Sequence, residues 1–206
     1  MPTPDWFSQL LDLELGQSQL SQSQLAQLYR HYELLIRWNQ RMNLTTVKPG
    51  PEMVIRHYCE SLFFAAHLQA VHQAISVIDV GSGAGFPGIP MAILQPDWHV
   101  TLVESSQRKA VFLRESSRFL SNVSVSAQRV EHYGAQGDWV VARAVDPQEV
   151  LLNVPRLAQN VGLMIGEDDF SSIRGEKLIA WAEPVRLPWG DRKVCVYGNV
   201  PRGTTP

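Results

Sequence analysis

The first third of the chain places its apolar residues at helical spacing. Leu25, Leu28, Tyr29, Tyr32, Leu35, Ile36 and Met42 recur at i, i+3, i+4 and i+7, the stripe that one helix face buries. A polar run, Gln17 to Gln24, precedes this helix and offers Ser21 or Ser23 as its N-cap. Asn39 and Asn43 approach its end, and "VKPGPE", Val47 to Glu52, breaks the pattern. A second helix is predicted from Pro51 to about Val71, because proline suits the first helical position and Glu52 suits the first turn.

Downstream the rhythm changes to short β-branched runs: Ile75–Val80, His99–Glu104, Asn122–Ala127, Trp139–Val145 and Gly162–Gly166. Helical segments separate most of them, at Gly88–Leu94, Gln107–Leu120 and Pro147–Ala158. Apolar strands alternating with helices predict an α/β fold, a mostly parallel sheet with helices on both faces. "KLIAWAEPVRL" and "RKVCVYG" are further strand candidates with no helix between them, expected to close the sheet as an antiparallel, hairpin-like edge. The expected organisation is an N-terminal helical extension (1–71), an α/β core (72–200) and a short tail (201–206).

Composition narrows the class. The chain has 206 residues, 45% hydrophobic and 18% charged, which suits one packed domain with an extension and argues against disorder. A net charge of −2 argues against indiscriminate coating of nucleic acid while leaving room for a local basic face. Cys59 and Cys195 form no CxxC pair, so neither a disulfide framework nor a zinc site is expected. No apolar run reaches membrane-spanning length, and the acidic N-terminus is unlike a secretory signal. A cytoplasmic enzyme without metal, and a monomer, is the expectation.

The candidate chemistry lies in "VIDVGSGAGFPGIP", Val77 to Pro90. A bare backbone after a strand lets a small ligand lie against peptide N–H groups. Gly81 and Gly83 fit the first two positions of the dinucleotide fingerprint, but the third falls on Phe86. A phenylalanine where a pyrophosphate loop needs glycine points to a smaller nucleoside ligand, S-adenosylmethionine, with its methionine moiety over the glycines. Glu104 ends the second strand, where a carboxylate can accept from both ribose hydroxyls of an adenosine.

"VIDVGSGAGFPGIPMAI", "VTLVESSQRKAVFL", "QRVEHY" and "VVARAV" follow one another in this order, preceded by "NLTT" and "HYCESL". In that arrangement the chain resembles the bacterial small-subunit rRNA guanine-N7 methyltransferase family, RsmG or GidB, over roughly Asn43 to Val145. The resemblance implies a class I methyltransferase fold that uses S-adenosylmethionine on N7 of a guanine in 16S rRNA of the small ribosomal subunit. It implies that Gly81 and Phe86 belong to the cofactor loop and that Glu104 binds the ribose. Val130 and Glu131 would lie by the adenine, and Arg143 beside cofactor and substrate. Three departures stand out. Glu60 replaces an aspartate in "HYCES", Arg108-Lys109 stands for a Lys-Lys pair, and "MIGEDDFSS" stands where a Lys-Gly commonly follows strand five. Glu167, Asp168 and Asp169 put a basic RNA contact there in question.

Guanine N7 carries a free lone pair, so no general base is expected, and alignment and desolvation carry the chemistry. His57 reads as a hydrogen-bonded structural histidine whose functional role rests on the resemblance alone. For RNA, Arg108, Arg114 and Arg118 share one face of their helix opposite Phe112 and Leu113, with Lys109 reaching out from the helix start. Arg37, Arg41, Lys48 and Arg56 add charge around the extension. Two other readings stay open: a class I methyltransferase for another RNA or a small molecule, and a non-catalytic ribosome-binding protein.

Overall fold

The computed structural model describes residues 2–16, 20–71, 76–190 and 192–201. Ile75, part of the polar run at 17–19, the expected boundary after residue 71, and residues 202–206 of the tail lie outside the described residues.

Three helical segments lead the chain: α1 (Asp5–Glu14), α2 (Gln22–Met42), and a rod formed by α3 (Pro51–Met53), a π-helical turn (Val54–Cys59) and α4 (Glu60–Val71). Helix α2 starts where its cap dictates. The Ser21 hydroxyl accepts from the Gln24 N–H at 3.2 Å, and the Gln24 carboxamide oxygen accepts from the Ser21 N–H at 2.9 Å. It stops at Asn43, whose φ of 48° is left-handed. The second predicted helix has the expected limits, but one of its turns is π-helical.

The core follows as β1 (Ser76–Val80), α5 (Gly88–Leu94), β2 (His99–Val103), α6 (Gln107–Ser117), β3 (Val123–Ser126), β4 (Gly137–Arg143), α7 (Pro147–Leu157), β5 (Ala158–Gly166), α8 (Glu167–Ile173), β6 (Ala180–Trp181), β7 (Val185–Arg186) and β8 (Lys193–Asn199). The sheet runs β3-β2-β1-β4-β5-β8-β6, with β7 also paired to β8. Strands β1 to β5 are parallel, and β8 enters antiparallel beside β5, as the closing-edge expectation requires. Strand β4 starts at Gly137 and stops at Arg143, before Val145, because Ala144 adopts a φ of 54°. Strand β5 begins at Ala158, earlier than predicted, since polar Gln159 and Asn160 break its apolar run. Helix α8 was not predicted, and "KLIAWAEPVRL" divides into two short strands around Pro184.

Side-chain alternation sends β1 residues to opposite faces. Val77 joins one apolar cluster with Phe7, Leu28, Phe64, Ile89 and Phe112, so the N-terminal helices, α5 and α6 share a core. Ile78 and Val80 join the other, with Val150, Val154, Phe170 and Val196. The chain order reverses between β1 and β4, which opens a crevice at their carboxyl ends.

Candidate active site

The crevice is built on the end of β1. Asp79 is fully buried there, and its Oδ2 accepts from the Gly88 N–H at 3.1 Å, capping the start of α5. Burial pushes the Asp79 carboxyl up to about 7. The chain then turns back on itself. The Gly81 and Ser82 N–H groups donate to the Val103 carbonyl at 2.8 and 3.3 Å, which ties the loop to the end of β2.

Gly81, Gly83 and Gly85 all have left-handed φ, at 70°, 55° and 89°. Their surroundings differ. A β-carbon on Gly81 would sit 2.5 Å from Val145 Cγ2, and one on Gly85 would sit 2.5 Å from Ile89 Cδ1. On Gly83 it would meet only the Gly81 carbonyl, at 3.7 Å. Packing therefore demands two of these glycines, while the third faces space.

Glu104 follows β2 and is 6% exposed. One carboxylate oxygen accepts from the Gly83 N–H at 2.9 Å and the other from the Ser106 N–H at 2.8 Å. A carboxylate offers about four lone-pair sites, so two backbone bonds leave about two for further donors. A cleft of about 350 Å³ opens against this carboxylate, lined also by Gly81, Lys109, Val130, Val145 and Glu149. Its volume falls in the range of small-ligand sites. The glycine cradle and the half-used carboxylate fit an adenosine-bearing cofactor.

The family model for GidB, described as rRNA small subunit methyltransferase G, matches residues 24–175. The chain belongs to the GidB family. Curated relatives include ribosomal RNA small subunit methyltransferase G of Nitrosomonas europaea, 41% identical over 66% of this chain and 64% of the relative's length. The chain thus spans less than two thirds of that relative. The Streptococcus thermophilus protein of the same name is 35% identical, over 92% of this chain and 87% of its own. Among solved structures, magnesium protoporphyrin IX methyltransferase from Synechocystis with bound SAM is similar at a TM-score of 0.61 and 15% identity, covering 83% of this chain and 97% of that one. A SAM-dependent methyltransferase from Aquifex aeolicus gives 0.57 and 15%, with 73% and 94% covered. The fold of this GidB chain is the class I, Rossmann-like methyltransferase fold.

Within the GidB chain the expected site residues fall into two groups. Gly81, Glu104, Val130 and Lys109 line the cleft, and Gly83 is bonded to Glu104. Exposed Glu131 follows Val130 in a 3-10 turn (Val130–His132) that Arg156 fastens by donating to the carbonyls of Val130 and Tyr133. Phe86 and Arg143 belong to the second group, beside the π-helical turn. The Phe86 ring stacks on His57 at 4.7 Å and meets Tyr58 and His31 edge-on. Arg143 pairs with Glu60 at 2.8 Å and donates to the Arg56 carbonyl, while Lys193 reaches the other Glu60 oxygen at 3.2 Å. The longer acid at position 60 thereby bridges β4 and β8. His57 shares a hydrogen bond with the Thr45 hydroxyl at 2.8 Å. Burial, reinforced by the Arg143 charge, lowers its pKa to about 3, so it is neutral near pH 7.

The acidic segment after β5 is the first turn of α8, where carboxylates favour the helix. Arg186 pairs with Glu167 at 2.9 Å and Arg192 with Asp168 at 2.9 Å. Gly166 lies opposite Lys193 in the β5–β8 register, so the adjacent strand brings a cation to the end of strand five. Arg108 and Arg114 are exposed on α6 and Arg118 at its C-cap, and α6 packs beside α2. Between these helices runs a groove of about 480 Å³ where Arg30 and Arg37 meet Arg118, together with Glu33 and Glu115. The two basic regions thus adjoin. Arg56 is engaged with Glu52 at 3.2 Å.

Sequence reasoning did not single out His31, Asp79 or Lys193. His31 carried a signal, because it falls on the apolar stripe of α2 between Leu28 and Leu35. Lys193 carried none, since only strand pairing brings it to Glu60. Among the described residues, no helix is long and apolar enough to cross a membrane, and no group of three or more His, Cys, Asp or Glu could hold a metal ion.

Proposed function

We propose that this protein transfers a methyl group from S-adenosylmethionine to N7 of a guanine in 16S rRNA, working in the cytoplasm as a monomer on the small ribosomal subunit. The observation that carries the reading is the Glu104 carboxylate, held by the Gly83 and Ser106 N–H groups at the mouth of the crevice. Family membership supports the rRNA substrate class. Gly81, Gly83, Phe86, Glu104, Val130, Glu131 and Arg143 are the proposed cofactor set. His57, Arg108, Lys109, Arg114, Arg118 and Arg143 are the proposed RNA contacts. Residues 1–71 are the proposed extension, 72–200 the catalytic core and 201–206 a tail.

When bound, the cofactor supplies an electrophilic methyl group on a sulfonium. The acceptor nitrogen uses its own lone pair, so no side chain has to remove a proton, and His57, its pKa lowered to about 3, is a weak base. The protein's task is to align the two reactants and exclude water. Against the non-catalytic alternative stands membership of a family described as a methyltransferase.

The test has two parts. Calorimetry is expected to show binding of S-adenosylmethionine and none of NAD. Incubation with labelled cofactor and small subunits, or with free 16S rRNA, is expected to yield 7-methylguanine. Cofactor binding without methylation of either substrate leaves another acceptor, and methylation at an exocyclic amine or ribose hydroxyl overturns the N7 assignment.

A further inference from the structure

His31 is a fully buried imidazole on α2, and the chemistry proposed above does not use it. Its Nδ1 lies 2.8 Å from the hydroxyl of Tyr58, itself fully buried in the π-helical turn. Its Nε2 turns to the glycine-rich loop. There it meets the Ala84 carbonyl, and a β-carbon on Gly85 would sit only 3.2 Å away. Burial lowers the His31 pKa to about 3, so the ring is neutral, with one donor and one acceptor nitrogen. A single tautomer serves both neighbours: Nδ1 accepts from the Tyr58 O–H, and Nε2–H points at the Ala84 oxygen. The contact with Ala84 is looser than a regular hydrogen bond, and Nε2 has no regular partner of its own.

The peptide between Ala84 and Gly85 is thus restrained from both sides. Its Gly85 end lies against His31 Nε2, and its N–H donates to the Ser82 carbonyl at 2.7 Å. Glycine at φ 89° puts little steric resistance in the way of a flip of that peptide, so its orientation depends on such partners. Two residues upstream, the Gly83 N–H holds Glu104, so a change at Ala84–Gly85 is transmitted to the carboxylate.

We propose that His31 is a positioning residue: from α2 it holds the Ala84–Gly85 peptide in the orientation that lets the loop receive its cofactor. This rests on the assignment of the loop to S-adenosylmethionine. It gives the N-terminal helices a part in cofactor affinity, with no group of theirs touching the ligand.

The test compares the full-length parent with His31→Leu and His31→Gln. Calorimetry with S-adenosylmethionine reads affinity, amide hydrogen exchange at Gly85 without cofactor reads the loop, and melting temperature reads stability. His31→Leu is expected to weaken binding about two- to threefold, the lower end of the range for a net hydrogen bond as befits a loose contact, and to speed Gly85 exchange. His31→Gln, whose amide nitrogen can stand where Nε2 does, is expected to restore most of both. If His31→Leu does not fold, Tyr58→Phe removes only the hydroxyl and is expected to shift both readouts in the same direction. Folded variants with lower melting temperature but parental affinity and parental Gly85 exchange would reduce His31 to core packing and overturn the proposal. Failure of the parent itself to bind S-adenosylmethionine overturns the cofactor assignment instead, and the exchange measurement then decides the part played by His31.

Discussion

At Gly83 an added β-carbon would find open space, whereas at Gly81 it would run into Val145, and the two positions make different mutational tests. Gly81→Val, the substitution a glycine-loop reading of the sequence invites, disturbs the connection from β4 to α7 and is expected to lower stability and cofactor affinity together. Gly83→Ala carries only left-handed strain of about 1–2 kcal/mol and is expected to leave a folded protein with weakened cofactor binding. Parental affinity in folded Gly83→Ala would move the ligand away from the loop. Glu104→Ala is expected to weaken binding by about 1.5–3 kcal/mol, the range for hydrogen bonds to a charged group. It also strands the Gly83 and Ser106 N–H groups, so its melting temperature is expected to fall. Glu104→Gln keeps one acceptor and separates the two effects by calorimetry. The glycines and Glu104 were legible because local geometry dictates them: a turn that needs left-handed φ, and an acid at the end of a strand. His31 and Lys193 owe their places to contacts made far along the chain, whereas Asp79 bonds Gly88 within the glycine-rich motif itself.

Elements marked by a helical period, a start signal or a β-branched run were read correctly, and those defined by tertiary contacts were not. Helix α2 shows its stripe and cap in one window of sequence. Helix α1 buries only Phe7 and Leu11, a single i, i+4 pair, which is too little to establish a period. The π-helical turn left no mark in the sequence, and it lies where Arg143 takes up the Arg56 carbonyl. No element is predicted from the sequence at α8, although its first turn gathers Glu167, Asp168 and Asp169, where helices favour carboxylates. The packing of α6 beside α2 bears on RNA binding. Reversing Arg114 and Arg118 to glutamate is expected to weaken binding of small subunits and to flatten its dependence on salt, with S-adenosylmethionine affinity unchanged. Normal methylation by that double variant at moderate salt would move the RNA contact to Arg37, Arg41 and Lys48.

On the scale of the molecule, buried ionisable groups set the response to acid. His31 and His57 have pKa values lowered to about 3, against the ordinary 6.5 of an unfolded chain. Their contribution to stability is present above about 6.5 and is lost as pH falls toward 3. Asp79, raised to about 7, acts in the opposite sense: its contribution is full below its ordinary 3.8 and is lost as pH rises through about 7. Two histidines outweigh one carboxyl, so unfolding near pH 5 takes up about one proton net, worth roughly 1.4 kcal/mol per pH unit. Melting temperature is therefore expected to fall on acidification below about 6.5, and a flat profile from pH 7 to 4.5 would contradict the burial of both rings. The chemical step is expected to behave differently. With saturating cofactor and RNA, the single-turnover rate should show no tenfold-per-unit limb from about pH 6 to 8, since His57 does not titrate there, and any shallow inflection near 7 belongs to Asp79 beneath the loop. A tenfold rise per unit across that range would require a base, and with it an acceptor other than N7.

Strand β8 lies between β5 and the short strands β6 and β7, yet it is synthesised after all of them. While a ribosome is still making residues 193–199, β5 is an unpaired edge with its apolar residues in place, and β6 and β7 have no strand to join. The nascent chain cannot close this sheet until β8 clears the exit tunnel and inserts between strands already made. Until residues 193–199 are in place, the β5 edge stays open to pairing with other chains.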